Sequence, residues 1–521
     1  MAEPHAEVDQ GPEPQRLLRQ IWARDAAAWG PGDDDPADRL GWLDLPRTMD
    51  REIEPLGSWA NEIRSAGYDR LVLLGMGGSS LAPEVFAGTL AGPSGMPLSV
   101  GDSTHPDQVR ALRAELGGTQ PLFLVSSKSG GTLETMSLYR YFRKLYPEGG
   151  SFVAITDPGS SLEELSGRES FRRCFTNPPD IGGRYSALSL FGLVPAALLG
   201  VDLEALLGHA SRMADTCGPQ SEPAQNPALM IGISLARLAQ RGKDKLTFVI
   251  SNPIAPLGDW LEQLIAESTG KHGKGIVPIV KEPRLAPPTY RGDRVFALIT
   301  LDAGDGGGAL GDEEMSDVNF VQALKDLGHP IVHTRLTSPD ALGAEMWRWE
   351  FITAVAGAAL GINAFDQPDV EAAKRAARSV LDEGAPAGFV PTEPAEFFDD
   401  LVEGDLAALL AFLPYARETD EVLARARRRL AERGVATTSG YGPRYLHSTG
   451  QLHKGGPKNV HALVVVGDEL RDEPIPDASY GFAALVSAQA AGDVQALDEA
   501  SQGVAVTNWT RFKQWAESAS G

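Results

Sequence analysis

The chain has 521 residues, with 47 lysines and arginines against 70 aspartates and glutamates, which gives a formal net charge of −23. This acidic balance argues against binding to nucleic acid, which requires basic groups that displace counterions from the phosphates. Hydrophobic residues make up 42% and charged residues 22%, as in ordinary globular proteins, and no apolar run reaches the about 20 residues that span a membrane.

The cysteines and the N-terminus indicate a compartment. Cys174 and Cys217 are the only cysteines, which is too few for a disulfide framework. Residues 1–15 are acidic and proline-rich, and they lack the basic and apolar regions of a signal peptide. We therefore expect a cytoplasmic protein, with about three domain-sized units at roughly 150 residues each.

The first half of the chain alternates short apolar runs with helix-like segments. Helical patterns near residues 17–29 and 53–63 come first. Apolar runs of strand length then occupy residues 71–74, 122–125 and 152–155, and each run ends in turn residues. Strands that alternate with helices are typical of βαβ units and a parallel, doubly wound sheet.

The same alternation begins again after a proline-containing gap at residues 217–227. Strands are predicted at residues 246–250, 295–301 and 330–334, with a helix over residues 257–269 after the first of them. The two blocks therefore indicate a repeat of one α/β domain.

The C-terminal region has a more helical pattern and follows a linker rich in Pro, Gly and Ala. The arginine-rich stretch 425–429 is interpreted as the solvated face of one of its helices. The predicted elements are helices over residues 396–413, 420–433 and 480–491 and a strand over residues 461–466. The predicted organisation is an N-terminal tail and helix (1–44), a first domain (45–220), a second domain (221–384) and a C-terminal extension (385–521).

A glycine-rich turn follows the first predicted strand, with Gly77, Gly78 and Ser79 before a helix. Glycines at such a turn let the backbone approach a ligand closely, and a helix N-terminus favours an anion. The turn has neither the Lys-Ser/Thr of a P-loop nor a full dinucleotide fingerprint. A tight structural turn explains it equally well.

A second turn carries a stronger signal. The run from Ser127 through Lys128 and Ser129 to Thr132 follows another predicted strand. Its hydroxyls and backbone N–H groups at a helix start suit a monophosphate. Glu134 is expected to point away along the helix. The alternative is a serine-rich helix cap.

Three further segments carry single side chains with chemical potential. Arg184 follows two glycines and is suited to an oxyanion, although a surface arginine in a turn is the alternative. Gln263 and Glu267 share one helical face, where a shielded carboxylate suits a general base and an exposed glutamate is the alternative. Gln367 lies at the start of another predicted helix and Lys374 lies two turns into it, where a solvated lysine is the alternative.

The last segment contains two histidines, His447 and His453. Their spacing of six fits neither a helical metal pair nor a His-Glu-x-x-His motif. A single neutral histidine that transfers protons fits better than a metal site.

Together these segments resemble the phosphoglucose isomerase (glucose-6-phosphate isomerase) family, which is built from two sugar-isomerase (SIS) domains. The resemblance covers most of residues 17–510 and is closest to the isomerase portion of bifunctional transaldolase/phosphoglucose isomerase proteins. It implies an α/β fold with two doubly wound parallel-sheet domains, each an αβα sandwich, plus a helical N-terminal segment and the C-terminal extension. We expect no transaldolase part in these 521 residues.

The resemblance also assigns residues to roles. Ser129 stands where the family's phosphate loop has threonine, which keeps the hydroxyl. The implied catalytic residues are Glu267 as the base, Arg184 for the enediolate, and His447 and Lys374 for ring opening. The implied substrate-binding residues are Gly77, Gly78, Ser79, Ser127, Lys128, Ser129, Thr132, Gly183, Gln263 and Gln367.

The chain departs from the family in the position of its catalytic histidine. Ordinary members carry this histidine between the glutamate and lysine motifs, in a context similar to that of His447, whereas here it follows the lysine motif. We infer a reordered C-terminal region. His453 is the alternative, and His329 and His333 occupy the usual place in the chain.

The implied reaction interconverts glucose 6-phosphate and fructose 6-phosphate, a step of glycolysis and gluconeogenesis, without a metal or cofactor. The alternatives are a related aldose–ketose isomerase that also accepts mannose 6-phosphate, and a non-catalytic SIS sensor of sugar phosphates. The resemblance allows a homodimer, because in ordinary members the partner subunit supplies a histidine. Whether the reordered region does the same is left open by the sequence.

Overall fold

The computed structural model describes residues 13–302, 312–368, 381 and 389–518. Within these residues the strands form three sheets, and all neighbouring strands in each sheet are parallel. The strands are β1 Arg70–Gly75, β2 Leu98–Gly101, β3 Pro121–Ser126, β4 Phe152–Thr156, β5 Arg173–Thr176, β6 Lys245–Ile250, β7 Val277–Ile279, β8 Arg294–Leu301, β9 Ile331–Leu336, β10 Leu406–Phe412, β11 Ala436–Tyr441, β12 Val460–Val466 and β13 Gly503–Asn508.

Helices connect the strands and cover the sheets, and none in the described part of the chain is long and apolar enough to cross a membrane. They are α1 Pro14–Trp22, α2 Leu45–Thr48, α3 Ile53–Ser65, α4 Leu81–Thr89, α5 Pro106–Glu115, α6 Leu133–Leu145, α7 Ser161–Arg168, α8 Leu190–Leu198, α9 Leu203–Thr216, α10 Leu229–Gln240, α11 Leu257–Thr269, α12 Asp312–Asp326, α13 Leu342–Leu360, α14 Pro394–Phe397, α15 Arg417–Ala431, α16 Gly450–Gly455, α17 Phe482–Ala500 and α18 Trp509–Glu517.

The three sheets share one strand order. The first is β2-β1-β3-β4-β5, the second β7-β6-β8-β9 and the third β11-β10-β12-β13. In each sheet, the strand that comes first in the chain lies between the second and the third strands. The direction in which successive strands are added to the sheet therefore reverses next to this first strand. Ligands of such sheets bind in the crevice at the carboxyl ends of the strands next to this point.

The predicted α/β class with doubly wound parallel sheets is confirmed. The apolar runs predicted as strands in the two α/β blocks are β1, β3, β4, β6, β8 and β9. The central runs are continuous rather than alternating because helices cover both faces of a parallel sheet, and every residue of β3 is buried.

The helix predicted over residues 396–413 is wrong, and the C-terminal extension contains a sheet of its own. Residues 406–412 form the central strand β10, and all seven are buried. Their sequence, LAALLAF, is rich in helix-forming Leu and Ala, so propensity favoured a helix. An uninterrupted apolar run of this length suits a strand buried on both faces equally well, and the tertiary setting decides. The predicted helices near 420–433 and 480–491 and the strand at 461–466 are present as α15, α17 and β12.

The largest hydrophobic cluster joins the first two sheets through helices α8, α9, α10 and α13. Helix α10 approaches α13 closely at Gly232, where a Cβ would lie 2.6 Å from the carbonyl oxygen of Ile352 and 2.7 Å from the side chain of Val355. Helix α13 is buried on nearly all its faces and carries Trp347 and Trp349 into this core.

The third sheet is attached to the second through a buried arginine. Arg427 in α15 donates hydrogen bonds to the carbonyl oxygens of Val280 (2.9 Å), Lys281 (3.0 Å) and Thr437 (2.8 Å). The first two acceptors follow β7, and the third lies in β11. The interpretation of residues 425–429 as a solvated face is therefore wrong for Arg427, which is buried, whereas Arg425 is exposed.

We expect Arg427→Met to lower the free energy of unfolding by roughly 2–4 kcal/mol, because it leaves the carbonyl groups of Val280 and Thr437, whose hydrogen bonds are buried, and that of Lys281 without their charged donor. Urea unfolding followed by circular dichroism measures the change. Arg425→Met on the same helix is the matched control and should change stability by at most about 0.5 kcal/mol. Equal effects of the two substitutions would contradict this account of the interface.

Candidate active site

Two glycines bring three turns together at the end of β1. Gly77 has a φ of +53°, and a Cβ there would lie 2.8 Å from Nε2 of Gln263 and would overlap the carbonyl group of His447. A Cβ on Gly78 would overlap the carbonyl group of Gly183. The predicted turn residues Gly77, Gly78 and Ser79 therefore meet the Arg184 turn on one side and the His447 turn on the other.

The predicted phosphate loop lies at the carboxyl end of the neighbouring strand β3. The hydroxyl oxygens of Ser127 and Thr132 are 2.9 Å apart, and the backbone N–H of Gly131 donates to Oγ of Ser129 (3.3 Å). Thr132 precedes the first residue of α6, whose free N–H groups favour an anion. Lys128 lies in the loop, but its ammonium group pairs with Asp157 and donates to the carbonyl of Pro179 (3.2 Å).

The predicted base and its helical neighbour are in direct contact on α11. Nε2 of Gln263 donates to Oε2 of Glu267 (2.9 Å) and to the carbonyl oxygen of His447 (2.8 Å). Oε1 of Glu267 is 3.4 Å from Nη1 of Arg184. Glu267 is buried, with 4% of its surface exposed. A carboxylate in this setting is shielded from water and oriented through both oxygens.

Arg184 is buried and hydrogen-bonded through the rest of its guanidinium group. Its Nε donates to Oγ of Ser268 (2.8 Å), and its Nη2 donates to the carbonyl oxygens of Ala364 (2.6 Å) and Asp366 (3.1 Å). The segment that contains Gln367 therefore begins beside Arg184. Lys374, predicted to act with it, lies outside the described residues.

Lys271 is a charged group of this region to which the sequence analysis gave no role. Its Nζ donates to the carbonyl oxygens of Asn363 (2.6 Å) and Ser268 (3.2 Å) and lies 3.0 Å from Oδ1 of Asp366. Burial, and then the neighbouring Arg184, lower the pKa of Lys271 to about 7. It stabilises the same segment that Arg184 contacts. The sequence signal that could have identified Lys271 is its position directly after the Glu-Ser-Thr-Gly run.

His447 pairs with a glutamate that was predicted to point away. Nε2 of His447 is 3.0 Å from Oε1 of Glu134, which lies in the first turn of α6. Glu134 faces the C-terminal region, where its carboxylate contacts His447 and Gln489, and 6% of the residue is exposed. A carboxylate only accepts hydrogen bonds, so Nε2 of His447 carries the hydrogen and Nδ1 of the neutral ring holds the lone pair.

The other candidate histidines are placed differently. Both ring nitrogens of His453 are buried and have no hydrogen-bond partner within the described ranges, and burial, followed by the charge of Lys454, lowers its pKa to about 3. His329 packs edge-on against Phe296, and His333 lies in β9, the outer strand of the second sheet. Of the four, it is His447 that adjoins Gly77 and Gln263.

The His447 turn is fixed to the first domain by a second arginine. Arg444 in the same turn pairs with Asp102, which follows β2, and donates through Nη1 to Oε1 of Glu84 in α4 (3.0 Å). Tyr415 donates to the other oxygen of Asp102 (2.9 Å). The C-terminal region thus contributes His447 to a site whose other parts belong to residues 77–367.

A predicted phosphate loop, a shielded carboxylate beside an arginine and a histidine paired with a glutamate, on doubly wound parallel sheets, together indicate the class of phosphosugar isomerases. Curated relatives agree with this class. The glucose-6-phosphate isomerase of Rubrobacter xylanophilus is 32% identical over 407 residues, which cover 69% of this chain and 92% of that protein. That of Symbiobacterium thermophilum is 31% identical over 420 residues, which cover 70% and 92%. The chain belongs to the glucose-6-phosphate isomerase family.

Solved structures give the same fold. A hypothetical protein of Thermus thermophilus is similar with a TM-score of 0.61 and 26% identity over 71% of this chain and 94% of its own. A glucose-6-phosphate isomerase of Chlamydia trachomatis has a TM-score of 0.58 at 22% identity over 71% and 84%. No protein-family model matches the chain.

We expect Gly77→Ala to lower kcat by about 100-fold or more, because the added Cβ displaces the His447 turn and a shift of about 1 Å can have this effect. Steady-state kinetics with fructose 6-phosphate measure the loss. Gly167→Ala, on helix α7 with no atom within 4 Å of the added Cβ, is the control and should retain activity. Normal turnover of Gly77→Ala would refute the contact.

The depressed pKa of Lys271 gives a pH dependence to stability. Below about pH 7 this lysine is charged in both the folded and the unfolded chain. Above it, the folded chain loses the proton first, so the unfolded chain binds more protons and the free energy of unfolding rises with pH up to the ordinary lysine pKa.

Urea titrations at steps between pH 7 and 10 should show this rise in the wild type and a smaller rise in Lys271→Met. Lys274→Met, an exposed neighbour, should retain the full rise. Identical slopes in the wild type and Lys271→Met would contradict the assignment.

Proposed function

We propose that the chain interconverts glucose 6-phosphate and fructose 6-phosphate through a cis-enediolate intermediate. The observation that carries this proposal is the arrangement of Glu267, whose carboxylate is held by Gln263 on one oxygen and faces Arg184 at 3.4 Å on the other. A base that moves a proton between adjacent carbons needs shielding from water, and the oxyanion formed needs a fixed positive group close by.

In this proposal the phosphate of the sugar binds to the hydroxyls of Ser127, Ser129 and Thr132 and to the N-terminus of α6. Lys128 adds positive charge at the edge of the loop. The sugar extends over the Gly77–Ser79 turn, against which the Arg184 and His447 turns pack. Gln263 and Gln367 contact the sugar, and Gly183 keeps the Arg184 turn close to it.

Ring opening is assigned to His447 together with Lys374. Because Nε2 of His447 donates to Glu134, Nδ1 of the neutral ring is the atom that exchanges a proton with the sugar. The proton moves between the C1 hydroxyl and the ring oxygen, and Lys374 assists at these oxygens. The open-chain aldose then lies with C2 beside Glu267.

Isomerisation follows through the enediolate. Glu267 removes the proton from C2, and Arg184 stabilises the negative charge of the enediolate. The same carboxyl group returns the proton to C1 while the hydroxyl proton on O2 passes to O1, which gives the ketose. The steps balance within substrate and side chains, so we propose no cofactor or metal.

The finer assignments are proposals of the same kind. We propose that residues 45–220 bind the phosphate, residues 221–384 supply the base and residues 385–521 supply the histidine. The likeness to the isomerase portion of bifunctional transaldolase/phosphoglucose isomerases, a cytoplasmic location and a homodimer are proposed with it, on the motifs that carry the resemblance. A sensor without catalysis would not need the Glu267–Arg184 pair, and the named relatives are isomerases.

We expect Glu267→Gln to lower kcat by about 1000-fold while substrate still binds, because the amide keeps the shape of the side chain and one acceptor oxygen but cannot accept the proton from C2. Turnover is measured with fructose 6-phosphate in an assay coupled to glucose-6-phosphate dehydrogenase. Binding is measured by isothermal titration with the same sugar phosphate.

Glu262 on the same helix offers a matched control. Burial raises the pKa of Glu262 to about 8, so at neutral pH its carboxyl group is mostly protonated and an amide replaces it closely. Glu262→Gln should retain wild-type turnover. Normal activity of Glu267→Gln would refute the proposed base.

A further inference from the structure

The loop that follows β2 contacts two separate elements of the C-terminal region. Residues 102–105 are buried although all four are polar. Asp102 accepts hydrogen bonds from Arg444 and Tyr415, as described above. Two residues later, Oγ1 of Thr104 donates to Oε1 of Gln489 on α17 (2.6 Å). The loop therefore fixes both the turn that carries His447 and a glutamine on a different helix.

Gln489 connects this loop to the partner of His447. It is buried, with 3% of its surface exposed. Its Nε2 donates to Oε1 of Glu134 at 2.7 Å, the same oxygen that lies 3.0 Å from Nε2 of His447. Thr104, Gln489, Glu134 and His447 thus form an unbroken chain of hydrogen bonds across four elements.

The direction of each bond in this chain is determined. The amide oxygen of Gln489 accepts the hydrogen bond from the Thr104 hydroxyl. The amide N–H group of Gln489 therefore faces Glu134. Oε1 of Glu134 accepts that bond and is directed at His447, where it accepts a second one. The imidazole consequently keeps its hydrogen on Nε2 and its lone pair on Nδ1.

We propose that Gln489 is a positioning residue for ring opening: it holds the Glu134 carboxylate in the orientation that keeps His447 in its reactive tautomer. Gln489 acts through Glu134, since no hydrogen bond in the described chain joins it to Glu267, Arg184 or the phosphate loop. This inference rests on the proposed function, because it assigns Gln489 to the step in which His447 acts. It predicts that ring opening depends on Gln489, whereas proton transfer between C1 and C2 does not.

Gln489→Met tests the inference, because methionine fills a similar volume and donates no hydrogen bond. Ring opening is measured directly as enzyme-catalysed exchange between the α and β anomers of glucose 6-phosphate by NMR. Conversion to fructose 6-phosphate is measured in the coupled assay. We expect Gln489→Met to slow anomer exchange by roughly 10- to 100-fold, with KM little changed, since the imidazole of His447 is then misplaced rather than removed.

Two further variants provide the contrast. Glu267→Gln should show the opposite pattern, with anomer exchange retained and isomerisation lost. Gln495→Met, an exposed glutamine on the same helix, should match the wild type in both assays. Anomer exchange in Gln489→Met equal to that in Gln495→Met would overturn the inference, as would a loss that appears only in KM.

Thr104→Val covers the case in which Gln489→Met fails to fold. It leaves Gln489 and Glu134 in place and removes only the bond that orients the amide, so a smaller loss of anomer exchange is expected. Unchanged exchange in Thr104→Val would then overturn the inference. A wild-type protein that converts no fructose 6-phosphate would refute the proposed function itself, whatever the variants do.

Discussion

The site depends on a contact between backbones that only glycine permits. Gly77 and Gly78 lie at the end of β1. The carbonyl groups of His447 and Gly183 occupy the space that a side chain at these two positions would fill. Each of these carbonyls belongs to a turn with a proposed catalytic side chain, His447 in one and Arg184 in the other. Gln263, which donates to both Glu267 and the carbonyl of His447, connects the same junction to the base.

The three sheets contribute unequally although they share one strand order. The first supplies the glycine turn after β1 and the phosphate loop after β3. The second contributes Glu267 from the helix that follows β6, and the third contributes the turn after β11. The family resemblance accounts for two SIS-type units, and the third sheet adds a further unit that presents His447. This placement explains how a histidine that follows the lysine motif in the chain still reaches the site.

Much of this was predictable because the signals are local. Continuous apolar runs ending in glycines and hydroxyls marked β1 and β3, and a helical spacing of four paired Gln263 with Glu267. The wrong predictions share one physical reason. Tertiary contacts, which a local sequence pattern does not contain, determine the structure of these residues. Residues 406–412 favour a helix by propensity and form a strand because both faces are covered. The contacts of Glu134 with His447 and Gln489 were not predicted at all, because these partners are more than 300 residues away in the chain.

The distribution of charge also differs between the surface of the protein and its site. The net charge of −23 describes a solvated exterior, whereas the site concentrates positive groups: Arg184 and Lys271 are buried beside carbonyl oxygens and carboxylates. Their desolvation is offset by hydrogen bonds to the segment from Asn363 to Asp366. An acidic protein can thus present a local environment suited to an anionic substrate.

The chain of hydrogen bonds from Thr104 to His447 also has a consequence for biosynthesis. Domains fold in order as they leave the ribosome, so the first two sheets can form while the residues of α17 are still being added. The glycine turn, the phosphate loop and Glu267 then exist before the histidine turn and Gln489 arrive. With the proposed roles, a nascent or prematurely terminated chain would carry the predicted phosphate loop without the histidine assigned to ring opening. Docking of the third sheet would then complete the proposed site.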